Sequence, residues 1–167
     1  GAIMLGKTVT TEFAYFEPSR TRNPCNIDHT PGGSSSGSAA AVAAGLCDFA
    51  LGTQTVGSII RPAAYCGVIG FKPSFGRVET SGLIYFSPSV DSVGFFSQNV
   101  EDVGSIASVV CSDWRAVKDI SYPRIGIPNG EYMDQCSPEG QDHFYSYIRY
   151  IRTAGFSVIE LDVFGDI

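Results

Sequence analysis

Two short stretches carry the residues best suited to chemistry: Gly32-Gly33-Ser34-Ser35-Ser36-Gly37-Ser38 and Gly52-Thr53-Gln54-Thr55-Val56-Gly57-Ser58. They set two small, serine-bearing turns with Ser34 and Ser58 twenty-four residues apart. Small residues let a ligand approach the main chain closely and leave amide hydrogens and hydroxyls uncovered, which is what acyl chemistry at a serine requires. A serine nucleophile also needs a base. The two histidines do not supply one, because His29 lies in a polar loop and His143 reads as a surface residue of a helix.

Two literal motif matches lack the context their chemistry needs. Gly1-Ala2-Ile3-Met4-Leu5-Gly6-Lys7-Thr8 fits the phosphate-binding pattern GxxxxGK[ST], yet no strand precedes it and its loop is apolar. Gly33-Ser34-Ser35-Ser36-Gly37 fits the GxSxG nucleophile elbow centred on Ser35. An elbow follows a hydrophobic strand, whereas the preceding Asn26-Ile27-Asp28-His29-Thr30-Pro31 is polar and ends in proline.

The elements that must position the turns follow from local pattern. Residues 38–46 predict a buried alanine-rich helix, 49–51 a short buried strand running into the second turn, 62–66 a helical turn and 67–71 a strand. Asn99 caps a helix with Glu101 and Asp102 in its first turn and Val100, Val103, Ile106, Ala107 and Val110 on one face. Residues 124–127 predict a strand. Ser137-Pro138 opens a helix with Phe144, Ile148 and Ile151 inward and Gly155 as its stop, and 156–161 predict a second strand. Strand, helix and strand over 124–161 form a βαβ unit, so the fold class is α/β.

Size and composition bound the rest. A chain of 167 residues with 44% hydrophobic and 17% charged residues forms one globular domain, read here as a single partial domain over 1–167 with both ends cut. A net charge of −6 with scattered basic residues argues against a nucleic-acid surface, and no apolar run is long enough to cross a membrane as a helix. The five cysteines, Cys25, Cys47, Cys66, Cys111 and Cys136, have no metal-ligand spacing and read as buried free thiols of a cytoplasmic protein.

Residues 31–82 resemble the amidase signature family. The resemblance rests on Pro31-Gly32-Gly33-Ser34-Ser35-Ser36-Gly37-Ser38-Ala39-Ala40-Ala41-Val42-Ala43, on the turn ending at Ser58, and on the block from Arg61-Pro62 through Gly70-Phe71-Lys72-Pro73 to Arg77-Val78. It extends outward to Leu5-Gly6-Lys7-Thr8 and to Ser89-Val90-Asp91-Ser92-Val93-Gly94-Phe95-Phe96. It implies the core of a mixed-sheet α/β/α fold and a Ser–cis-Ser–Lys triad that hydrolyses amides through an acyl-enzyme. Carried over by position, Ser58 is the nucleophile, Ser34 is the bridging serine behind a cis peptide bond, and the backbone N–H groups of Thr55, Val56, Gly57 and Ser58 are the oxyanion donors. No metal or organic cofactor is implied.

The chain departs from the family pattern in three places. Val56 stands where glycine is usual, so the turn is kept only where its φ is negative. Gln54 stands where aspartate is frequent, and Ser36 replaces a common glycine. The family's catalytic lysine lies upstream of Gly6-Lys7-Thr8. Lys7 matches a different lysine, Lys72 reads as packed or surface, and Lys118 sits in a polar loop. The expectation is therefore a fragment of a longer amidase, inactive alone, acting on a small-molecule amide together with the remainder of its parent chain, with a homodimer as one arrangement. The alternatives are the glutamine amidase subunit of a tRNA-dependent amidotransferase and a non-catalytic amidase-like module. Ser35 either donates within the site or packs in the turn. Arg61 reads as a structural ion pair or a substrate contact, Cys66 as inert, and His29 as ligand-facing at most. Tyr65, Tyr85 and Phe86 line an acyl pocket or pack in the core.

Overall fold

The computed structural model describes residues 2–115 and 122–162, so Lys118 lies outside the described residues. Its contacts gather into two compact units, 1–116 and 117–167.

The first unit is built around a three-stranded antiparallel sheet in the order β1-β3-β2, with β1 Phe49–Gln54, β2 Ile69–Phe71 and β3 Ser92–Ser97. Phe95 and Phe96 are consecutive in β3 and both fully buried. Neighbouring strand residues point to opposite faces, so β3 is covered on both sides. Phe96 packs with Ala39 and Val42 of α1 (Ser36–Ala43), Ala63 and Cys66 of α2 (Ile60–Cys66), and Ile59 just before α2. Phe95 packs with Ala107 of α3 (Val100–Val110) and with Cys111. Helices on both faces of a sheet make the expected α/β/α layering.

Local chemistry explains the helix ends. Asn99 Oδ1 accepts the Asp102 N–H at 2.9 Å, so the predicted cap of α3 is present. The strand expected to be buried at 49–51 is longer and only half covered, with Leu51 53% exposed, because β1 is an edge of the described sheet.

In the second unit, β4 (Arg124–Asn129) pairs in parallel with β5 (Ser157–Asp162), and α5 (Pro138–Thr153) connects them after the one-turn α4 (Glu131–Asp134). Ser137 Oγ accepts the Gly140 N–H at 3.1 Å and Pro138 occupies the first turn of α5, as the cap-then-proline pattern requires. His143 is exposed on α5. Among the described residues no helix is long and apolar enough to cross a membrane.

The cysteines correct one expectation. All five are free, but only Cys66 and Cys111 are buried, while Cys25 and Cys136 are exposed. Burial, with Cys25 close by, pushes the Cys66 thiol up to about 11. At pH 8 its thiolate fraction is then about one part in a thousand. Iodoacetamide on the native protein is expected to modify Cys25 and Cys136 and to spare Cys66, with all five modified after denaturation. Peptide mass spectrometry reads the difference, and early modification of Cys66 would contradict its packing.

Candidate active site

Both serine turns are fixed by their neighbours rather than by regular structure of their own. The Gly33–Ser34 peptide bond is cis. Ser34 is 2% exposed, its carbonyl accepts the Thr11 N–H at 3.0 Å, and the Ser35 N–H donates to the Ser58 carbonyl at 3.2 Å. That last bond joins the two turns directly. Arg61 reaches back from α2 and donates Nε to the Gly33 carbonyl at 2.9 Å, with its guanidinium 5.8 Å from the Phe16 ring centroid. Its partner is thus a backbone carbonyl and an aromatic face, where an ion pair was expected.

The remaining serines of the first turn are structural. Ser35 Oγ donates to the Thr53 carbonyl and accepts the Thr53 N–H, both at 3.1 Å, which staples the turn to β1. A hydroxyl occupied in this way is not a free nucleophile, so the elbow centred on Ser35 is not formed. Ser38 Oγ donates to the Leu51 carbonyl at 2.7 Å and shares a 2.6 Å hydrogen bond with Thr8 Oγ1, and Ser36 Oγ meets Ser19 Oγ at 3.2 Å. Thr8, from the stretch that mimics a phosphate loop, therefore anchors α1. Lys72 donates Nζ to the Pro73 carbonyl at 2.7 Å.

Gln54 holds the second turn. Its side chain is buried, and Oε1 accepts the N–H groups of Ile59 and Ile60 at 2.8 and 3.0 Å. Those are donors at the start of α2, which every helix must satisfy from outside its own ladder. A carboxamide oxygen does this as an aspartate would, without burying a charge. The turn 55–58 is spanned by this bond. Val56 is 88% exposed, and among the described residues the non-glycine positions with positive φ are Phe13, Ala14, Asp113 and Tyr122. Val56 is not one of them, so its branched side chain is accommodated. Among the described residues the N–H groups of Val56, Gly57 and Ser58 meet no protein acceptor.

Ser34 and Ser58 open into one recess of about 40 Å³, lined also by Ala14, Thr53, Thr55, Leu83, Ile84, Phe86 and Asp91. Among the described residues no hydrogen bond joins the two serine hydroxyls or occupies either of them. Unliganded sites often hold such pairs loosely. Of the aromatic candidates, Phe86 lines this recess. Tyr85 instead donates its hydroxyl to Thr80 Oγ1 at 2.6 Å. Tyr65 and His29 line a separate cleft of about 320 Å³ with Asn23, Cys25, Asn26 and Thr30.

Asp91 is the residue that sequence reasoning missed. Its Oδ1 accepts the Thr55 hydroxyl, and its Oδ2 accepts the N–H groups of Phe86 and Ser87 at 2.6 and 2.8 Å. Burial alone would push the carboxyl up, but the Thr55 hydroxyl and the Ser87 and Phe86 N–H groups outweigh it and hold the group below the usual carboxylate range. An acidic residue just ahead of a buried strand carries no local signal of that role.

The family model described as Amidase matches residues 1–164. The chain belongs to the amidase family. Among curated relatives, it is 35% identical to the A subunit of the glutamyl-tRNA(Gln) amidotransferase of Sulfurihydrogenibium, over 98% of this chain and 38% of that protein. It is 46% identical to the corresponding protein of Prochlorococcus marinus, over 82% of this chain and 29% of that one. Among solved structures, the native peptide amidase of Stenotrophomonas maltophilia is 33% identical with a TM-score of 0.81, over 97% of this chain and 39% of that one. The glutamyl-tRNA(Gln) amidotransferase A subunit from Thermotoga maritima is 29% identical with a TM-score of 0.81, over 96% of this chain and 40% of that one. The amidase segment therefore spans about two-fifths, 38%, of the first of these relatives. Its fold is the mixed α/β fold of these amidases, as the serine turns implied.

Proposed function

We propose that this segment carries the nucleophile and the proton relay of an enzyme that hydrolyses linear carboxamides through an acyl-enzyme. Ser58 attacks the amide carbonyl, and its proton passes to Ser34 and on to the lysine that the family places upstream. The carbonyl oxygen, negative in the tetrahedral intermediate, is received by the N–H groups of turn 55–58. Ammonia leaves with a proton, and water then releases the carboxylic acid and restores Ser58. The observation that carries this reading is the shared recess, with two unoccupied serine hydroxyls beside unpaired backbone donors. Preorganised donors of that kind contribute on the order of 3–4 kcal/mol to the barrier when one is removed.

The names of the curated relatives favour a second reading, a glutamine amidase that works as one component of a tRNA-dependent amidotransferase. The recess speaks for the first. Its described walls are apolar at Ala14, Leu83, Ile84 and Phe86, and its one acid, Asp91, is already satisfied by three donors. Binding the amino and carboxylate groups of glutamine would need charged partners from beyond these walls.

Treating the natural full-length chain with a fluorophosphonate and mapping the adduct tests the acyl-enzyme. Attachment at Ser58, together with ammonia release from simple amides, is the expected result. Attachment at Ser35 with Ser58 unmodified would overturn the assignment. Ammonia release only with partner subunits and charged tRNA would move the function to the amidotransferase.

A further inference from the structure

Asp91 occupies a defined place in the sheet. The last paired residues of β1 and β3 are Gln54 and Ser92, so the next step along the antiparallel register sets Thr55 opposite Asp91. Residues opposed in this way are within reach of each other's side chains. The Thr55 hydroxyl uses that reach to donate to Oδ1. The second oxygen faces the other way, where the chain turns back on itself: the Asp91 N–H donates to the Ser87 carbonyl at 2.9 Å while Oδ2 takes the Phe86 and Ser87 N–H groups. One carboxylate therefore ties the residue that opens turn 55–58 to the end of the loop that carries Leu83, Ile84 and Phe86.

Resting on the reading of Ser58 as nucleophile, the geometry points to Asp91 as a positioning residue that sets the distance between the oxyanion turn and the acyl-facing wall. Three donors converge on it from two directions, and a carboxylate is the side chain that accepts on both oxygens. An asparagine can keep all three contacts, its oxygen taking the two backbone N–H groups and its NH₂ donating to the Thr55 hydroxyl, whereas alanine removes every one of them. Both sides of the clamp are then lost. A misplacement on the order of 1 Å at a reacting centre costs about 100-fold in rate.

The two halves of the clamp act on different kinetic constants. The turn meets the charge that develops in the transition state, so disturbing it lowers the rate of acylation. The wall meets the acyl group in the ground state, so disturbing it raises KM, most for amides with large apolar acyl groups. Asp91→Ala changes both. Thr55→Val releases only the turn, and Thr55→Ser keeps the hydroxyl and with it the hydrogen bond.

The test is the rate of Ser58 labelling by a fluorophosphonate in the natural full-length chain, with kcat and KM for a short and a long acyl amide. Asp91→Ala is expected to slow labelling by about 10- to 100-fold and to raise KM more for the long amide. Thr55→Val is expected to slow labelling with KM unchanged, Thr55→Ser to restore the wild-type rate, and the double variant Asp91→Ala/Thr55→Val to be no slower than Asp91→Ala, as for residues that share one interaction. Wild-type labelling rates in Asp91→Ala, strict additivity, or a Thr55→Ser chain as slow as Thr55→Val would overturn the inference. Should Asp91→Ala not fold, the nearly isosteric Thr55 pair decides alone. A wild-type chain unlabelled at Ser58 would instead remove the acyl-enzyme reading, and this inference with it.

Discussion

Ser58→Ala in the natural full-length chain is expected to abolish covalent labelling and to lower amide hydrolysis by about 10⁴-fold or more, the scale seen when a nucleophile that works as part of a unit is removed. Ser34→Ala is expected to cost about 10²–10⁴-fold, the usual contribution of a positioned proton-transfer group. The double variant is expected to be little worse than Ser58→Ala, because a relay has nothing to relay once the nucleophile is gone. The geometry makes these substitutions clean. Among the described residues neither hydroxyl is engaged in a structural hydrogen bond, while the backbone bonds from Thr11 to Ser34 and from Ser35 to Ser58 survive truncation of either side chain. Ser35→Ala is the contrasting case. It removes both hydrogen bonds to Thr53 and so loosens the turn from β1, with a loss of stability of about 1–2 kcal/mol. Activity measured at a temperature where all variants are folded separates the two effects. If Ser34→Ala kept full activity, the relay would be wrong.

The parts of the fold and of the candidate site that were legible in the sequence are those carried by contiguous residues. Ser34 and Ser58 stand out through their places in the blocks that resemble the amidase signature, since glycine and serine runs alone also make flexible linkers, and Asn99 and Ser137 stand out because a cap is read within three residues of itself. Gln54 was legible only as a departure. Its function as the acceptor for Ile59 and Ile60 depends on a strand, a turn and a helix meeting in space. Asp91 was harder still, since its partner Thr55 is thirty-six residues away and is brought opposite by strand register. The exposure of β1 went the other way: an apolar triplet reads as buried, yet coverage depends on what lies beside the edge. Arg61 shows the same limit, because charge suggests a carboxylate partner and the fold supplies the Gly33 carbonyl instead.

The largest stability effect is expected at Gly94, in the middle of β3. A methyl group there would overlap the Phe71 carbonyl oxygen and lie 2.8 Å from Ile59 Cδ1 and 3.2 Å from Lys72 Cα. Two of these three neighbours are backbone, which cannot swing aside as the end of a side chain can. Directly opposite in register is Gly52, where a methyl would meet Phe96 Cε2 at 2.7 Å and Ser35 Oγ at 2.9 Å. The glycine pair thus lowers the sheet surface where Ser35 staples to Thr53 and where the Ile59 side chain packs. Gly94→Ala is expected to cost about 3 kcal/mol or more, the upper range for overpacking a filled core, and to lower the thermal midpoint by about 3 °C or more. Gly104→Ala is the internal control. Gly104 sits in the middle of α3 with nothing within 4 Å of a built methyl, so the change is expected to stabilise by about 0.5–1 kcal/mol. Thermal unfolding of both variants in the natural full-length chain checks the argument. Equal midpoints would mean that the space around Gly94 relaxes and that the close approach of the Phe71 backbone and Ile59 does not constrain β3.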